Sequence, residues 1–206
     1  MPPLHAVVQG HLQGGTEGWS GCSIAGEAGC ETGWEAWSMT DLTDAQKAEY
    51  FRRSYTAVDG LWFMKVEERL GFDEALRLDE AVWKVLPKIQ ARALKGMMHL
   101  PGGLEELETA LSARLGLEGF EYEIEPREDG FAVIVKRCPW HDLMVKSGRG
   151  ELSEKVSDLI CRVENSVWAS EFSGEGGEIG FEREERICRG EGRCVLRFGR
   201  DRNILS

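Results

Sequence analysis

At 206 residues, 42% hydrophobic and 30% charged, the chain is long enough for one ordinary core, and one domain is the expectation. Its formal charge of -11 argues against nonspecific binding to nucleic acid or to an anionic membrane, because either needs a positive patch to pair phosphates. There is no apolar run long enough to span a bilayer and no basic-then-apolar leader, so the sequence reads as cytoplasmic.

Residues 1 to 38 differ from the rest: eight glycines, three of the seven tryptophans, four glutamates, and no lysine or arginine. They show neither helical nor alternating periodicity, and read as a disordered or non-native arm preceding a single domain over 39 to 206. Without the arm's four acids the domain holds 32 acidic and 25 basic residues.

From Thr43 the pattern turns helical, with Thr43 and Gln46 in capping-box spacing. Phe51, Tyr55, Val58, Trp62 and Val66 write one apolar stripe, and Gly71 supplies a stop. A second helix is expected from an Asp73 N-cap, with Ala75, Leu78, Val82, Leu86, Ile89, Ala93 and Met97 inward and a kink at Pro87. After Pro101-Gly102-Gly103, Leu104, Leu107, Leu111 and Leu115 predict a third helix ending at Gly116.

The period then becomes two. Phe120, Tyr122 and Ile124 alternate with glutamates, as a strand with one wet face requires, and the turn Pro126 to Gly130 leads into a continuous apolar strand, Phe131 to Val135. Cys138-Pro139-Trp140-His141 breaks that strand, followed by a loop near Gly148 and Gly150. Leu152, Val156, Leu159, Val163 and Val167 restore a helix, stopped by the glycines after Ser173. A closing hairpin, Ile179 to Cys188 and Arg193 to Phe198, turns at Gly190-Glu191-Gly192. Helices first and an antiparallel sheet after, with a helix packed on it, make the fold class α+β.

That register sets Cys188 opposite Cys194, where two thiolates can chelate one ion. Cys138, His141 and Cys161 could complete a set, so these five residues are the candidate ligands of a metal such as zinc or iron. The spacing matches no standard zinc framework, and two other readings stand beside it: a redox dithiol, or cysteines buried simply as small apolar residues. Cys138 with His141 also permits a thiol nucleophile. Asp59, between Val58 and Trp62, is a candidate base or cation-binding group, against the plainer reading of a solvated helix face. Trp62, Phe63, Trp83 and Trp168 could line an apolar pocket or simply fill the core.

The segment Glu185-Arg186-Ile187-Cys188-Arg189-Gly190-Glu191-Gly192-Arg193-Cys194-Val195-Leu196-Arg197-Phe198, after a helix carrying Cys161, resembles the ending of the 4-vinyl reductase domain superfamily. From Tyr50 to Phe198, including Tyr55-Thr56-Ala57-Val58-Asp59-Gly60-Leu61-Trp62-Phe63 and Cys138-Pro139-Trp140, the chain looks closer to the DUF6125 family, similar in layout to L-2-amino-thiazoline-4-carboxylic acid hydrolases. The resemblance implies a 4-vinyl reductase domain-like fold. It also implies a hydrolase-like enzyme opening a C=N or amide-type bond of a small heterocycle; the resemblance assigns no residue to that reaction, and from the residues alone Asp59 and His141 are the candidate catalytic groups, beside the Cys/His metal site whose ion would polarise the C=N carbon or activate water. The alternative it implies is a noncatalytic sensor of a small ligand or metal. Either way the expected partner is a small molecule, with homo-oligomerisation left open.

Overall fold

The computed structural model describes residues 42–174 and 176–200. The arm expected over 1 to 38, with Cys22 and Cys30, lies outside the described residues. Among the described residues, six α-helices and four strands, with two short 3-10 turns, follow in the order α1 Asp44–Leu70, α2 Phe72–Trp83, α3 Leu86–Met98, α4 Leu104–Glu118, β1 Glu121–Arg127, β2 Gly130–Arg137, α5 Pro139–Lys146, α6 Ser153–Phe172, β3 Gly180–Arg183 and β4 Cys194–Gly199. This is the α+β architecture expected from the change of period.

The capping box forms as read: Gln46 N–H donates to Thr43 Oγ1 at 3.2 Å and Thr43 N–H donates to Gln46 Oε1 at 2.9 Å. Of the stripe assigned to α1, Tyr55 and Val66 turn inward, but Phe51, Val58 and Trp62 do not. Phe51 and Val58 are each 68% exposed, and the inward side runs through Tyr55, Asp59, Phe63 and Val66. Tyr55 and Phe63 pack against Leu76, Trp83 and Ile160, while Thr56, Asp59 and Gly60 on the same side border a cavity.

Asp73 is not an N-cap: α2 starts at Phe72 from Gly71, whose φ of 85° suits glycine. Pro87 does not kink a single helix but helps begin a new one. The chain leaves α2 at Lys84 and Val85, and Pro87 sits buried in the first turn of α3. Proline fits there because a first-turn N–H has no helical acceptor to lose, while its ring disfavours helix in the residues just before it. α4 runs through Gly116 and stops at Gly119, whose φ of 80° ends the helix in the left-handed region.

The sheet is antiparallel throughout, in the order β1-β2-β4-β3. Phe131, Val133 and Val135 of β2 share a face with Leu196 and Phe198 of β4, against Leu107, Leu111 and Leu115 of α4 and Trp168 and Phe172 of α6. Phe131 stacks on Phe198 at 5.2 Å between ring centroids. Each such large side chain contributes about 1.5–3 kcal/mol on leaving water. On the other face Ala132, Ile134 and Val195 form a separate small cluster.

The closing hairpin differs from the expected three-residue turn. Arg183 pairs with Leu196, and the chain between β3 and β4 is a long connection holding a 3-10 turn at Ile187–Arg189. Cys188 therefore lies in that turn and not across from Cys194, whose strand partner is Val135.

Candidate functional site

Between α1, α2, α5, α6 and the connection before β4 lies a cavity of about 360 Å³ with a mostly apolar wall. The break read at Cys138 to His141 builds one side of it. Cys138 is the N-cap of α5 and Pro139 its first residue, so the strand passes directly into a helix rather than a loop. Trp140 then meets Tyr55 and Trp83 edge to face, at 5.6 and 5.8 Å between ring centroids. Of the aromatics expected at a pocket, Phe63 and Trp83 line the cavity, whereas Trp168 belongs to the core and Trp62 is 41% exposed.

Asp59 from α1 and Asp79 from α2 both line this cavity. Burial pushes the Asp59 carboxyl up to about 6, and the Trp83 indole N–H donates to it, favouring the ionised form. Burial also pushes Asp79 up to about 7, helped by the charge of Asp59, and Trp83 again offers its N–H. Two carboxyls in one apolar space, sharing one donor, are thereby set to different proton affinities. Asp59 is not on a solvated face.

A second polar group also borders the cavity. Arg114 of α4 and Glu164 of α6 are buried with Nη2 and Oε1 3.3 Å apart, and Arg114 Nε is 3.5 Å from Glu118 Oε1. Burial works against the charge of Arg114, but Glu164 and then Glu118 outweigh it and hold the guanidinium's pKa above its ordinary value. Burial pushes Glu164 up to about 7 against the pull of Arg114.

Cys138, His141, Cys161 and Cys188 also line the cavity, while Cys194 is not on its wall. His141 Nδ1 is 2.8 Å from Ser153 Oγ, Cys188 Sγ is 2.8 Å from Ser157 Oγ, and Cys194 Sγ accepts from Ile187 N–H at 3.2 Å. Burial pushes the Cys138 thiol up to about 12, although the N–H groups of His141 and Trp140 favour its thiolate. Burial raises Cys161 further, with Cys138, Glu164 and Cys194 acting the same way. Cys138, Cys161 and Cys194 are thus near enough to sense one another's charge. Among the described residues, no three such side chains are disposed to hold a metal ion together. Nor is Cys138 poised as a nucleophile, since its thiol stays protonated near neutral pH.

The DUF6125 family, described as a family of unknown function, matches residues 39–173. The chain belongs to DUF6125. The matched span carries Asp59, Asp79, Arg114, Cys138, Trp140, His141 and Glu164, most of the polar side of the cavity of this DUF6125 protein. No curated protein matches the chain, and no solved structure matches it. No helix among the described residues is long and apolar enough to cross a membrane.

Proposed function

We propose that the cavity binds a compact molecule bearing a basic C=N group, such as a cyclic amidine, and that Asp59 and Asp79 hydrolyse it. The observation that carries this reading is the pair itself: two carboxyls from neighbouring helices facing one mostly apolar cavity, with separated proton affinities. An ionised carboxylate there meets a cationic nitrogen without competition from bulk water. The likeness to L-2-amino-thiazoline-4-carboxylic acid hydrolases drawn from the sequence supports the same substrate class.

The chemistry follows from which group holds its proton. Near pH 6.5 Asp59 is mostly ionised and Asp79 mostly protonated. The neutral amidine takes the proton of Asp79 on its C=N nitrogen and so becomes the cation that the carboxylates hold; Asp59 then accepts a proton from water as the water oxygen bonds to the C=N carbon. In the resulting tetrahedral adduct the new hydroxyl returns a proton to Asp79 as C=O forms. The bond from that carbon to the ring heteroatom breaks, and Asp59 protonates the departing atom. The net change is addition of one water and opening of the ring, with both carboxyls restored.

Incubation with 2-amino-2-thiazoline, followed by mass spectrometry, tests this. Gain of one water by the substrate, lost in Asp59→Asn and in Asp79→Asn, is the expected result. Binding of the amidine with no turnover would overturn hydrolysis and leave a ligand-sensing module.

A further inference from the structure

The acid–base pair does not use the Arg114–Glu164 corner, and that corner is chemically incomplete. The two side chains are 5% and 9% exposed, yet Arg114 Nη1, Arg114 Nε and Glu164 Oε1 have no hydrogen-bond partner. The approaches of Arg114 to Glu164 and Glu118 are ion-pair distances that lack hydrogen-bond geometry. The guanidinium carbon lies 5.4 Å from the centre of the Trp168 ring, whose own N–H is likewise unpartnered. Buried donors and acceptors are rarely left so, because unmade hydrogen bonds cost more than made ones return.

The charges around these atoms select what fits them. An anion would bind Arg114 only against the repulsion of Glu164 and Glu118, and a second cation would meet Arg114 itself. A neutral group that accepts on one atom and donates from the next suits both sides. We infer that the Arg114–Glu164 corner binds an amide- or urea-type edge of the ligand. Its C=O accepts from Arg114 Nη1 and its neighbouring N–H donates to Glu164 Oε1. The ligand is then bifunctional, with a basic C=N nitrogen at Asp59 and Asp79 and a neutral amide edge at this second corner. The inference rests on the cavity being a small-molecule site, but not on turnover there.

Calorimetry on the full chain tests it with four probes: benzamidine, benzamide, 4-methylbenzamidine and 4-amidinobenzamide. The carboxamide probe is expected to bind about tenfold more tightly than its methyl counterpart, the worth of one buried donor–acceptor contact. That gain should vanish for 4-amidino-N,N-dimethylbenzamide, which lacks the donated N–H, a comparison that needs no mutation. It should also vanish in Glu164→Leu while benzamidine still binds. Equal affinity of the carboxamide and methyl probes, or a gain that survives Glu164→Leu, overturns the inference and leaves the carboxylate pair untouched. Binding of benzamide without binding of benzamidine removes the carboxylate pair and keeps this corner; no binding of any probe overturns both.

Discussion

Asp59 on α1 and Asp79 on α2 reach the same Trp83 indole N–H from neighbouring helices, inside one mostly apolar cavity. Each raises a difficulty for the other, since burial opposes the charge of both and the single N–H only partly offsets it. Such a pair lowers stability and is best explained by what it does to a ligand.

The first prediction follows from linkage. A carboxyl whose pKa is higher folded than unfolded makes the native chain hold more protons, so its contribution is favourable at low pH and lost as pH rises. For Asp59, ordinary value 3.8 and about 6 when folded, the loss falls between roughly pH 4 and pH 7 and is worth about 2–3 kcal/mol. Asp79 acts in the same direction over a window reaching slightly higher. The Asp59→Asn, Asp79→Asn double variant should therefore denature at higher urea than the parent at pH 8, with the gap closing by pH 4.5. An unchanged gap across that range would show that neither carboxyl is perturbed.

Trp140 closes one side of the cavity against Tyr55 and Trp83. Trp140→Ala should cost about 2–4 kcal/mol in urea denaturation, from lost burial and two edge contacts. It should also weaken benzamidine binding, and a variant of parental stability would place Trp140 outside the packed wall.

The end of α4 offers a paired test. Gly119 sits at φ 80° while Gly116 lies inside the helix with nothing within 4 Å of an added Cβ. Gly119→Ala should destabilise by about 1–2 kcal/mol and Gly116→Ala should stabilise by about 0.5–1 kcal/mol. The opposite order would mean that the helix ends at Gly116, as its sequence suggests.

The thiols give a fourth. Cys138 and Cys161 are half-buried and held protonated, so iodoacetamide should alkylate them at least about tenfold more slowly in the native chain than in urea. Metal analysis of anaerobically purified protein belongs beside this measurement. Near one equivalent of zinc or iron per chain, released on alkylation, would show that the thiols rearrange around a metal.

Element types were legible because the hydrophobic period changes cleanly, from three or four along Leu107, Leu111 and Leu115 to two along Tyr122 and Ile124. Boundaries were harder to read. Pro87 and Gly116 each fit two local rules, and tertiary packing chose between helix start and kink, and between helix interior and stop. Asp59, Cys138, His141, Cys161 and Cys188 were singled out by residue type and do reach one cavity. The long connection before β4 removed the expected opposition of Cys188 and Cys194, and local turn signals do not fix a loop's length. Asp79, Arg114 and Glu164 were missed. Their signal was phase: Asp79 stands between Ala75 and Trp83, Arg114 beside Leu111 and Leu115, and Glu164 between Ile160 and Trp168, charged residues in step with buried ones.

The most direct test of the account is the pH dependence of benzamidine affinity, measured by calorimetry on the full chain. Because the cationic probe needs an ionised carboxylate partner, and Asp59 and Asp79 titrate near 6 and 7, the association constant should rise about tenfold from pH 5 to pH 7. It should rise again toward pH 8 and be lost in the double Asn variant. An affinity that is flat over this range, or that survives in the double variant, would contradict the claim that this carboxyl pair is the binding site.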